Sequence, residues 1–472
     1  MDSPEHLTPQ SFRYFAATVS MEPDLDAKRA FVKQHQQNIN ESILYSLENR
    51  PARETFALLD AAKSVVTRDV MLAKRFGAPD VLLHGTLDHH IDDMLNHRPE
   101  VVFVNFFQSP TSDFWALLAF RQDGDTKVEK VPIATGQAGQ SIHQIIMDYA
   151  AVRAGVAPKD SGVDLLPALQ TFGAEILPRI QRMGGTRRVV LIPHKALHML
   201  PLHLMVAESE SAPLFLDLLA QSTIYGSSLF ALYFGNVSIK KETARPNKSV
   251  LACVDVEGLG PSAIYEAEAY RETLHNSTDV DIVTAAEDFP EDLSCYPLLM
   301  WSSHGVSHAS DWRQSRLLFG KKVITAMDII ERWNLEHTYV GVLSACETGI
   351  DFSTDDVIDE YCGLDMALNI AGARTVVSTM WMVPDVVAQF VNSLVFEAVL
   401  MGEPASSMLK TARLLMMSGG WREVLEKTYA DIKSLPDGRE ARKKIVERLL
   451  DVPDALFQDF RSWGVYRCFG GW

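Results

Sequence analysis

The sequence predicts an α/β fold, with a largely parallel sheet covered by helices on both faces and a short all-α segment before it. Two observations lead to this prediction. In the stretches 43–47 and 56–73, apolar side chains recur at three- and four-residue steps, as in amphipathic helices. From about residue 98 onward, short runs rich in Val, Ile, Leu and Phe alternate with helical patterns, which is typical of strand–helix–strand units.

The N-terminal segment, residues 1–97, is predicted to form two or three antiparallel helices, one of them over residues 55–72. Its first Gly/Pro cluster comes at residues 77–79. The arrangement is similar to the end of a tetratricopeptide-type array. The sequence nevertheless lacks the ~34-residue period of a full array.

Two α/β units are predicted to follow, over residues 98–238 and 239–472, with a polar linker at 240–248. Strand-like runs in the first unit are residues 101–107, 114–120, 127–131 and 188–192. Those in the second unit are residues 250–254, 280–283, 298–301, 339–343 and 375–378. A charged helical insert is expected over about residues 421–450.

Composition limits the partners and the compartment. The 472 residues include 44 basic and 61 acidic side chains, so the net charge is −17, which disfavours direct binding to nucleic acid. No apolar run has the ~18 residues that span a bilayer, and the first residues lack the pattern of a secretory signal. The five cysteines are spaced for neither a disulfide framework nor a zinc site. We therefore expect a cytoplasmic protein without membrane or metal binding.

Two reactive side chains follow strands of the second unit. One strand runs into His304-Gly305, and a later strand runs into Cys346. Because the carboxyl ends of parallel strands meet at one edge of a sheet, we expect these residues to lie close together. An imidazole beside a thiol favours the thiolate and protonates a leaving amine. The backbone N–H groups of Gly305 and Cys346 would then stabilise an oxyanion.

These residues also have an ordinary structural interpretation. A lone cysteine at a strand end is more often a buried core thiol, and His-Gly turns are common. Spacing favours catalysis only when the histidine and the cysteine are considered together.

Further motifs resemble those of the CHAT-domain family, caspase-like cysteine peptidases of clan CD that are related to caspases and separase. The most specific string is Leu343-Ser-Ala-Cys-Glu-Thr-Gly349. The other matching elements are residues 191–204, 259–261, 266–269, 303–305, 315–319, 324–329 and 371–377, Trp381 and Asp385, and residues 462–466, which resemble the family's closing strand.

The resemblance implies that His304 is the general base and Cys346 the nucleophile, and that the first α/β unit is a catalytically silent caspase-like half. It implies a regulated endopeptidase that cleaves a protein target through a thioester, without metal or organic cofactor. Family members act in programmed death, cohesin cleavage or bacterial defence against phage. We therefore expect a zymogen in a defence or cell-death pathway, with a protein activator docking on the N-terminal helices.

One departure from the family concerns the segment after the nucleophile, which is commonly Gly-rich in the family and here is acidic. Its acids are Asp351, Asp355, Asp356, Asp359 and Glu360. With Trp381 and Asp385, they are candidates for substrate binding. We expect some of these acids to recognise a basic residue before the scissile bond. A solvated acidic loop is the alternative interpretation.

Two other functions use the same features. A catalytically silent caspase-like scaffold for protein binding would need neither His304 nor Cys346, whereas this chain has both. Acyl transfer to a small molecule, or hydrolysis of a glutamine-type amide, would use the same cysteine. Such enzymes place an orienting acid after the histidine, and no acid occurs there in a recognisable motif.

Overall fold

A computed structural model describes residues 6–63, 65–76, 87–153, 163–184, 187–208, 213–237, 250–274, 280–308, 311–349, 361–435 and 439–471. The chain divides into two compact units, one comprising Met1–Val237 and Asp351–Tyr361, the other Ser238–Ile350 and Cys362–Trp472. Both units combine helices with β-strands, so the mixed α/β fold expected from the sequence is confirmed.

Helices come first in the first unit, and strands follow them. The helices are α1 (Pro9–Met21), α2 (Leu25–Asn49), α3 (Ala52–Ala62), α4 (Val65–Phe76) and α5 (Leu87–His97). Next come β1 (Val101–Gln108), β2 (Phe114–Gln122), β3 (Asp125–Ala134), α6 (Gln137–Arg153), α7 (Leu166–Arg182) and β4 (Arg187–Ile192). The unit continues with β5 (Val206–Ala207), β6 (Leu214–Phe215), α8 (Leu216–Leu219), β7 (Ala220–Tyr225) and α9 (Leu229–Val237).

The main strands of this unit lie in the order β3-β2-β1-β4-β7. The β1–β2 and β2–β3 pairs are antiparallel, and the β1–β4 and β4–β7 pairs are parallel. Every residue of β1 is buried, which explains why its sequence is mostly apolar instead of alternating. By contrast, the first part of β3 alternates between exposed and half-buried residues, which is the period-two pattern seen in its sequence.

The prediction of a single helix over residues 55–72 is wrong, because the structure has two helices there, α3 and α4. The backbone turns extended at Lys63, which ends α3. Lys63 is fully buried, and its Nζ donates hydrogen bonds to the carbonyls of Ile192 (2.8 Å) and Pro193 (2.5 Å). A buried ammonium group needs such acceptors. Apolar periodicity continues across the break and does not show it.

A second lysine joins the N-terminal helices to the sheet within the first unit. The Nζ of Lys130, on β3, donates to the carbonyls of Ser46 (2.8 Å), Leu47 (2.7 Å) and Arg50 (2.5 Å) at the end of α2. The last carbonyls of a helix have no intrahelical partner and carry a partial negative charge. The ammonium group of Lys130 donates hydrogen bonds to these carbonyls and carries the opposite charge. It therefore fixes the C-terminus of α2 to β3.

The second unit alternates strands and helices. It begins with β8 (Val250–Val254), α10 (Val256–Leu259), α11 (Pro261–Thr273), β9 (Val280–Val283), β10 (Leu298–Ser302), β11 (His304–Val306), β12 (Arg316–Phe319), β13 (Lys322–Thr325) and α12 (Ala326–Arg332). It continues with β14 (Val340–Ser344), α13 (Leu364–Ala371), β15 (Thr375–Thr379), α14 (Asp385–Leu400), α15 (Ala405–Ser418), α16 (Trp421–Lys433), α17 (Glu440–Leu450), α18 (Asp454–Gln458), α19 (Phe460–Trp463) and β16 (Tyr466–Gly470).

The main strands of the second unit lie in the order β16-β15-β14-β10-β8-β9. All neighbouring pairs are parallel except β15–β16, which is antiparallel. A small antiparallel sheet, β11-β12-β13, branches off directly after β10. The five strands predicted for this unit coincide with β8, β9, β10, β14 and β15 to within one residue at each end.

The closing strand begins later than expected. Residues 462 and 463 belong to α19, which is capped by the side chain of Asp459, and β16 starts only at Tyr466. The interpretation of residues 462–465 as strand is therefore wrong. Helices α16 and α17 occupy the stretch that the sequence marks as a helical insert.

None of the helices in the described part of the chain combines the length and the apolar character needed to cross a bilayer.

Replacing Lys130 with Met should lower the free energy of unfolding by about 1–3 kcal/mol, because three carbonyls at the end of α2 lose a charged donor. Urea unfolding followed by tryptophan fluorescence measures this change. Lys127→Met is the matched control on the same strand, since Lys127 is half-exposed and only 3.7 Å from the exposed Asp125 carboxylate. The control should change stability by less than ~0.5 kcal/mol. Equal losses in the two variants would contradict the role given to Lys130.

Candidate active site

The register of two neighbouring strands brings the predicted site residues together. Strands β10 and β14 pair in parallel with Ser302 opposite Ser344. His304 lies two residues beyond Ser302, and Cys346 lies two residues beyond Ser344. Both residues line one open pocket of about 500 Å³ at the carboxyl ends of these strands, as the sequence predicts.

Residues of three helices, α10, α11 and α14, line the pocket together with the strand ends. Its remaining lining residues are Leu259, Ser262, Ala263 and Glu266 from the α10–α11 region, Ser302, Ser303, Ser344 and Ala345 from the strand ends, and Val383, Asp385, Ala388 and Gln389 at the start of α14. Asp385, Ala388 and Gln389 share one helix face because they are spaced by three and four residues. This face of α14 therefore looks onto the catalytic candidates.

His304 is exposed, and its ring is oriented by the main chain. Its Nε2 lies 3.2 Å from the carbonyl oxygen of Gly258, at the end of α10. A carbonyl can only accept a hydrogen bond, so Nε2 carries the hydrogen in this arrangement. In the neutral ring Nδ1 is then left to accept a proton. The Gly258 carbonyl thus has the orienting role for which no acid is apparent in the sequence.

Cys346 is partly exposed and lies in a turn with an unusual backbone. The next residue, Glu347, has φ of 59°, the left-handed region that side chains other than glycine rarely adopt. Gly305 packs against the Cys346 peptide so tightly that a Cβ at Gly305 would overlap the Cys346 carbonyl oxygen. Only glycine fits there. The Gly305 backbone is therefore in close contact with the Cys346 carbonyl.

Buried polar contacts support the turn from beneath. The side-chain oxygen of Thr348 accepts from the Thr379 N–H (3.1 Å), and the Gly349 N–H donates to the Thr379 carbonyl (2.8 Å). Below Gly349 lies a fully buried ion pair between Asp365 and Arg467 (2.7 Å). Removing one partner of such a pair leaves an uncompensated buried charge. The turn that presents Cys346 therefore has a rigid base.

A second buried network connects the ends of β10 and β14. Oε1 of Glu266 accepts hydrogen bonds from Ser302 (2.6 Å) and Tyr270 (2.9 Å). The side chain of Asn392 also hydrogen-bonds Glu266, and its Nδ2 donates to Ser344 (2.6 Å). The hydroxyl groups of the two paired serines are thus joined through Glu266 and Asn392.

The pKa of Glu266 is raised in this network. Burial raises the pKa of Glu266 above its ordinary value, although hydrogen bonds from Ser302 and Tyr270 act in the opposite direction. The nearby charge of Asp385 raises the pKa further. Like charges close together disfavour the ionised form. Glu266 is therefore shifted toward its neutral form inside the pocket wall.

Three of the other four cysteines are more deeply buried than Cys346. Cys253 and Cys468 are fully buried, and burial raises the pKa of Cys468 to about 12 and that of Cys253 well above its ordinary value. Cys362 is buried as well, whereas Cys295 is partly exposed. Because the thiolate is the nucleophile, Cys253 and Cys468 are chemically inert in the folded protein.

The remaining predicted site residues fall into three groups. Asp385 lines the pocket, as described above. Trp381 is buried, donates from Nε1 to the Arg461 carbonyl (2.6 Å) and is not among the lining residues; its role in substrate binding stays a prediction. The acidic-loop candidates Asp351, Asp355, Asp356, Asp359 and Glu360 lie outside the described residues.

Sequence reasoning missed two contributors to the site. Gly258 acts through its carbonyl, and no side-chain pattern reveals a carbonyl. Glu266 was noted only as part of a family motif. Its four-residue spacing from Tyr270 on a helix was the available signal.

Comparison with known proteins identifies the family and the fold. A sequence model of the CHAT domain matches residues 164–470. No curated protein sequence matches the chain significantly. Among solved structures, a separase–securin complex from Saccharomyces cerevisiae matches with a TM-score of 0.53 at 9% identity, over 98% of this chain and 39% of the separase-complex chain.

A second structure of the same yeast complex gives a TM-score of 0.49 at 8% identity, over 98% of this chain and 37% of that chain. This chain therefore spans about two fifths of the length of the chains that it matches. At such low identity, the first likeness shows a shared caspase-like fold.

Replacing Glu266 with Gln should flatten part of the pH dependence of stability. Because the pKa of Glu266 is raised in the folded state, the unfolded chain loses this proton first as the pH rises above about 4.5. Stability conferred by the neutral acid is then lost as the pH rises toward the folded-state pKa. Glutamine is neutral throughout and keeps an acceptor for Ser302. Urea unfolding of wild type and variant from pH 4.5 to 8 measures this; parallel curves would contradict a raised pKa.

Proposed function

The chain belongs to the CHAT-domain family, and on that premise we propose that it is a cysteine endopeptidase with Cys346 as nucleophile and His304 as general base. One observation carries the proposal. Ser302 pairs with Ser344 in two parallel strands, and His304 and Cys346, each two residues further along the chain, line the same pocket. The oriented His304 ring and the close approach of Gly305 to the Cys346 peptide add to it.

The chemistry follows from these groups. Nδ1 of His304 takes the thiol proton, and Sγ of Cys346 attacks the carbonyl carbon of the scissile bond. The N–H groups of Gly305 and Cys346 donate to the oxyanion that develops. The imidazolium then protonates the leaving amine, which leaves a thioester. Water, deprotonated by His304, hydrolyses the thioester and regenerates the thiol.

We propose that the pocket receives a basic side chain before the scissile bond. Beside Cys346, its wall presents the carboxyl groups of Asp385 and Glu266 and the amide of Gln389. Oε1 of Gln389, a residue only 6% exposed, has no hydrogen-bond partner among the described residues. A guanidinium or ammonium group would supply donors to these acceptors and a positive charge to Asp385. The acids of residues 351–360 and Trp381 remain further candidates for this role.

Regulation and biological role belong to the same proposal. We propose a cytoplasmic zymogen that acts in a defence or cell-death pathway and is switched by a protein partner docking on the N-terminal helices. The matched yeast structures contain separase in complex with securin, a protein partner of that protein. A catalytically silent scaffold is the alternative that the first experiment below separates.

Cells that express the wild-type chain should contain new protein N-termini that are missing when Cys346→Ala is expressed, because only the thiol can form the thioester. Proteomic sequencing of N-termini, with proteins encoded by neighbouring genes co-expressed, is the measurement. Cys295→Ala is the matched control, since Cys295 is also partly exposed but lies outside the pocket lining. The control should reproduce the wild-type termini.

Identical termini in wild type and Cys346→Ala would leave two explanations, a latent zymogen and a catalytically silent scaffold. A peptide electrophile then separates these two. Labelling of Cys346 at least ~10-fold faster than Cys295 supports a competent site. Equal labelling of both cysteines supports the scaffold.

Replacing Asp385 with Asn should lower kcat/KM for a substrate with Arg before the cut by about 10–100-fold, the effect of losing one hydrogen bond to a charged group. A matched substrate with Met should change less than about threefold. A panel of Arg, Met and Asp peptides measures both. Asp454→Asn, at an exposed ion pair with Arg422, is the control. Equal cleavage of all three peptides by the wild type would refute the basic preference.

A further inference from the structure

Asp255 is a buried acid beside the site that the mechanism above does not use. It directly follows β8, the neighbour of β10 in the sheet, and is only 2% exposed. It is not among the residues that line the pocket. Its main-chain N–H donates to the Ser302 carbonyl (2.8 Å) at the end of β10. Asp255 is therefore anchored to the strand that leads to His304.

One oxygen of Asp255 holds the turn that orients the histidine ring. Oδ1 accepts a hydrogen bond from the Gly258 N–H (2.9 Å), and the Gly258 carbonyl faces Nε2 of His304 (3.2 Å). A Cβ on Gly258 would overlap Oδ2 of Asp255. The carboxylate and the turn thus fit together only with glycine at position 258.

The same oxygen also holds the backbone that carries the histidine. Oδ1 accepts a second hydrogen bond, from the Gly320 N–H (3.1 Å), in the turn between β12 and β13. Strand β12 pairs with β11, where His304 lies opposite Leu318. Gly320 is two residues beyond Leu318. Asp255 therefore connects the carbonyl that orients the ring with the hairpin that positions its main chain.

We propose that Asp255 is a positioning residue for His304, holding the imidazole at the angle needed for proton transfer. An ordinary helix cap would secure α10 alone, whereas this carboxylate also binds the hairpin paired with His304. Without it, the Gly258 carbonyl and β11 are free to shift independently. A displacement of about 1 Å at a reacting group costs up to about 100-fold in rate. The inference rests on the proposed peptidase function.

The test compares Asp255→Ala with Asp255→Asn on a peptide that the wild type cleaves. Alanine removes both hydrogen bonds, so kcat should fall about 10–100-fold, while KM stays within about twofold because Asp385 and Gln389 are unaffected. Asparagine keeps an oxygen at Oδ1 and should restore kcat to within about threefold of wild type. If Asp255 had only a structural role, Asp255→Ala would lower the folded fraction but would not lower kcat at an unchanged KM.

Asp328→Ala is the matched control for loss of a helix-terminal acid in the same unit. Asp328 accepts from the Thr325 N–H (3.0 Å) and hydroxyl (2.7 Å) at the start of α12, away from the pocket lining. The Asp328→Ala variant should be less stable than the wild type but should have the same kcat per folded molecule. If Asp255→Ala does not fold, Gly258→Ala tests the same link, because its methyl group would displace the Asp255 carboxylate from the turn.

Nitrogen NMR of the His304 ring gives a readout that does not depend on peptidase activity. In the wild type, Nε2 should carry the hydrogen, and in Asp255→Ala the two tautomers should mix. That change in a chain without peptidase activity would uphold the positioning role while the proposed function fails. An active wild type whose Asp255→Ala variant keeps kcat and the ring signal, or an Asp255→Asn variant as impaired as Asp255→Ala, would overturn the inference.

Discussion

The parallel register between β10 and β14 is the constraint on which the candidate site depends. With Ser302 opposite Ser344, His304 and Cys346 both emerge two residues later, at the same edge of the sheet. A slip of one residue would reverse the faces of a strand and separate the two side chains. The overlap that a Cβ on Gly305 would have with the Cys346 peptide shows how little freedom remains.

Buried polar groups connect the strands that share this register. Glu266 and Asn392 connect the hydroxyl groups of the two paired serines. The ion pair of Asp365 with Arg467 supports the turn after Cys346. Burial, and to a lesser degree the nearby charge of Asp385, raises the pKa of Glu266 in this network.

The sequence predicted strands and reactive side chains better than it predicted their supports. Buried parallel strands are short apolar runs with clear ends, so β8, β10 and β14 were placed to within one residue. The break at Lys63 was missed because a buried ammonium group interrupts a helix without interrupting its apolar periodicity. Gly258 contributes a carbonyl that has no sequence signature, and Asp255 acts through contacts with residues 3 and 65 positions away.

The distribution of strain favours a catalytic site over a scaffold. Glu347 occupies left-handed backbone directly after Cys346, and such conformations persist only where the surroundings impose them. A binding surface made by a caspase-like fold requires neither that turn nor an exposed histidine held in one tautomer by the Gly258 carbonyl. It also does not require glycine at position 305 packed against the nucleophile peptide. All three features agree with the proposed function, in which the thiol of Cys346 and the imidazole of His304 act on one carbonyl group of a substrate.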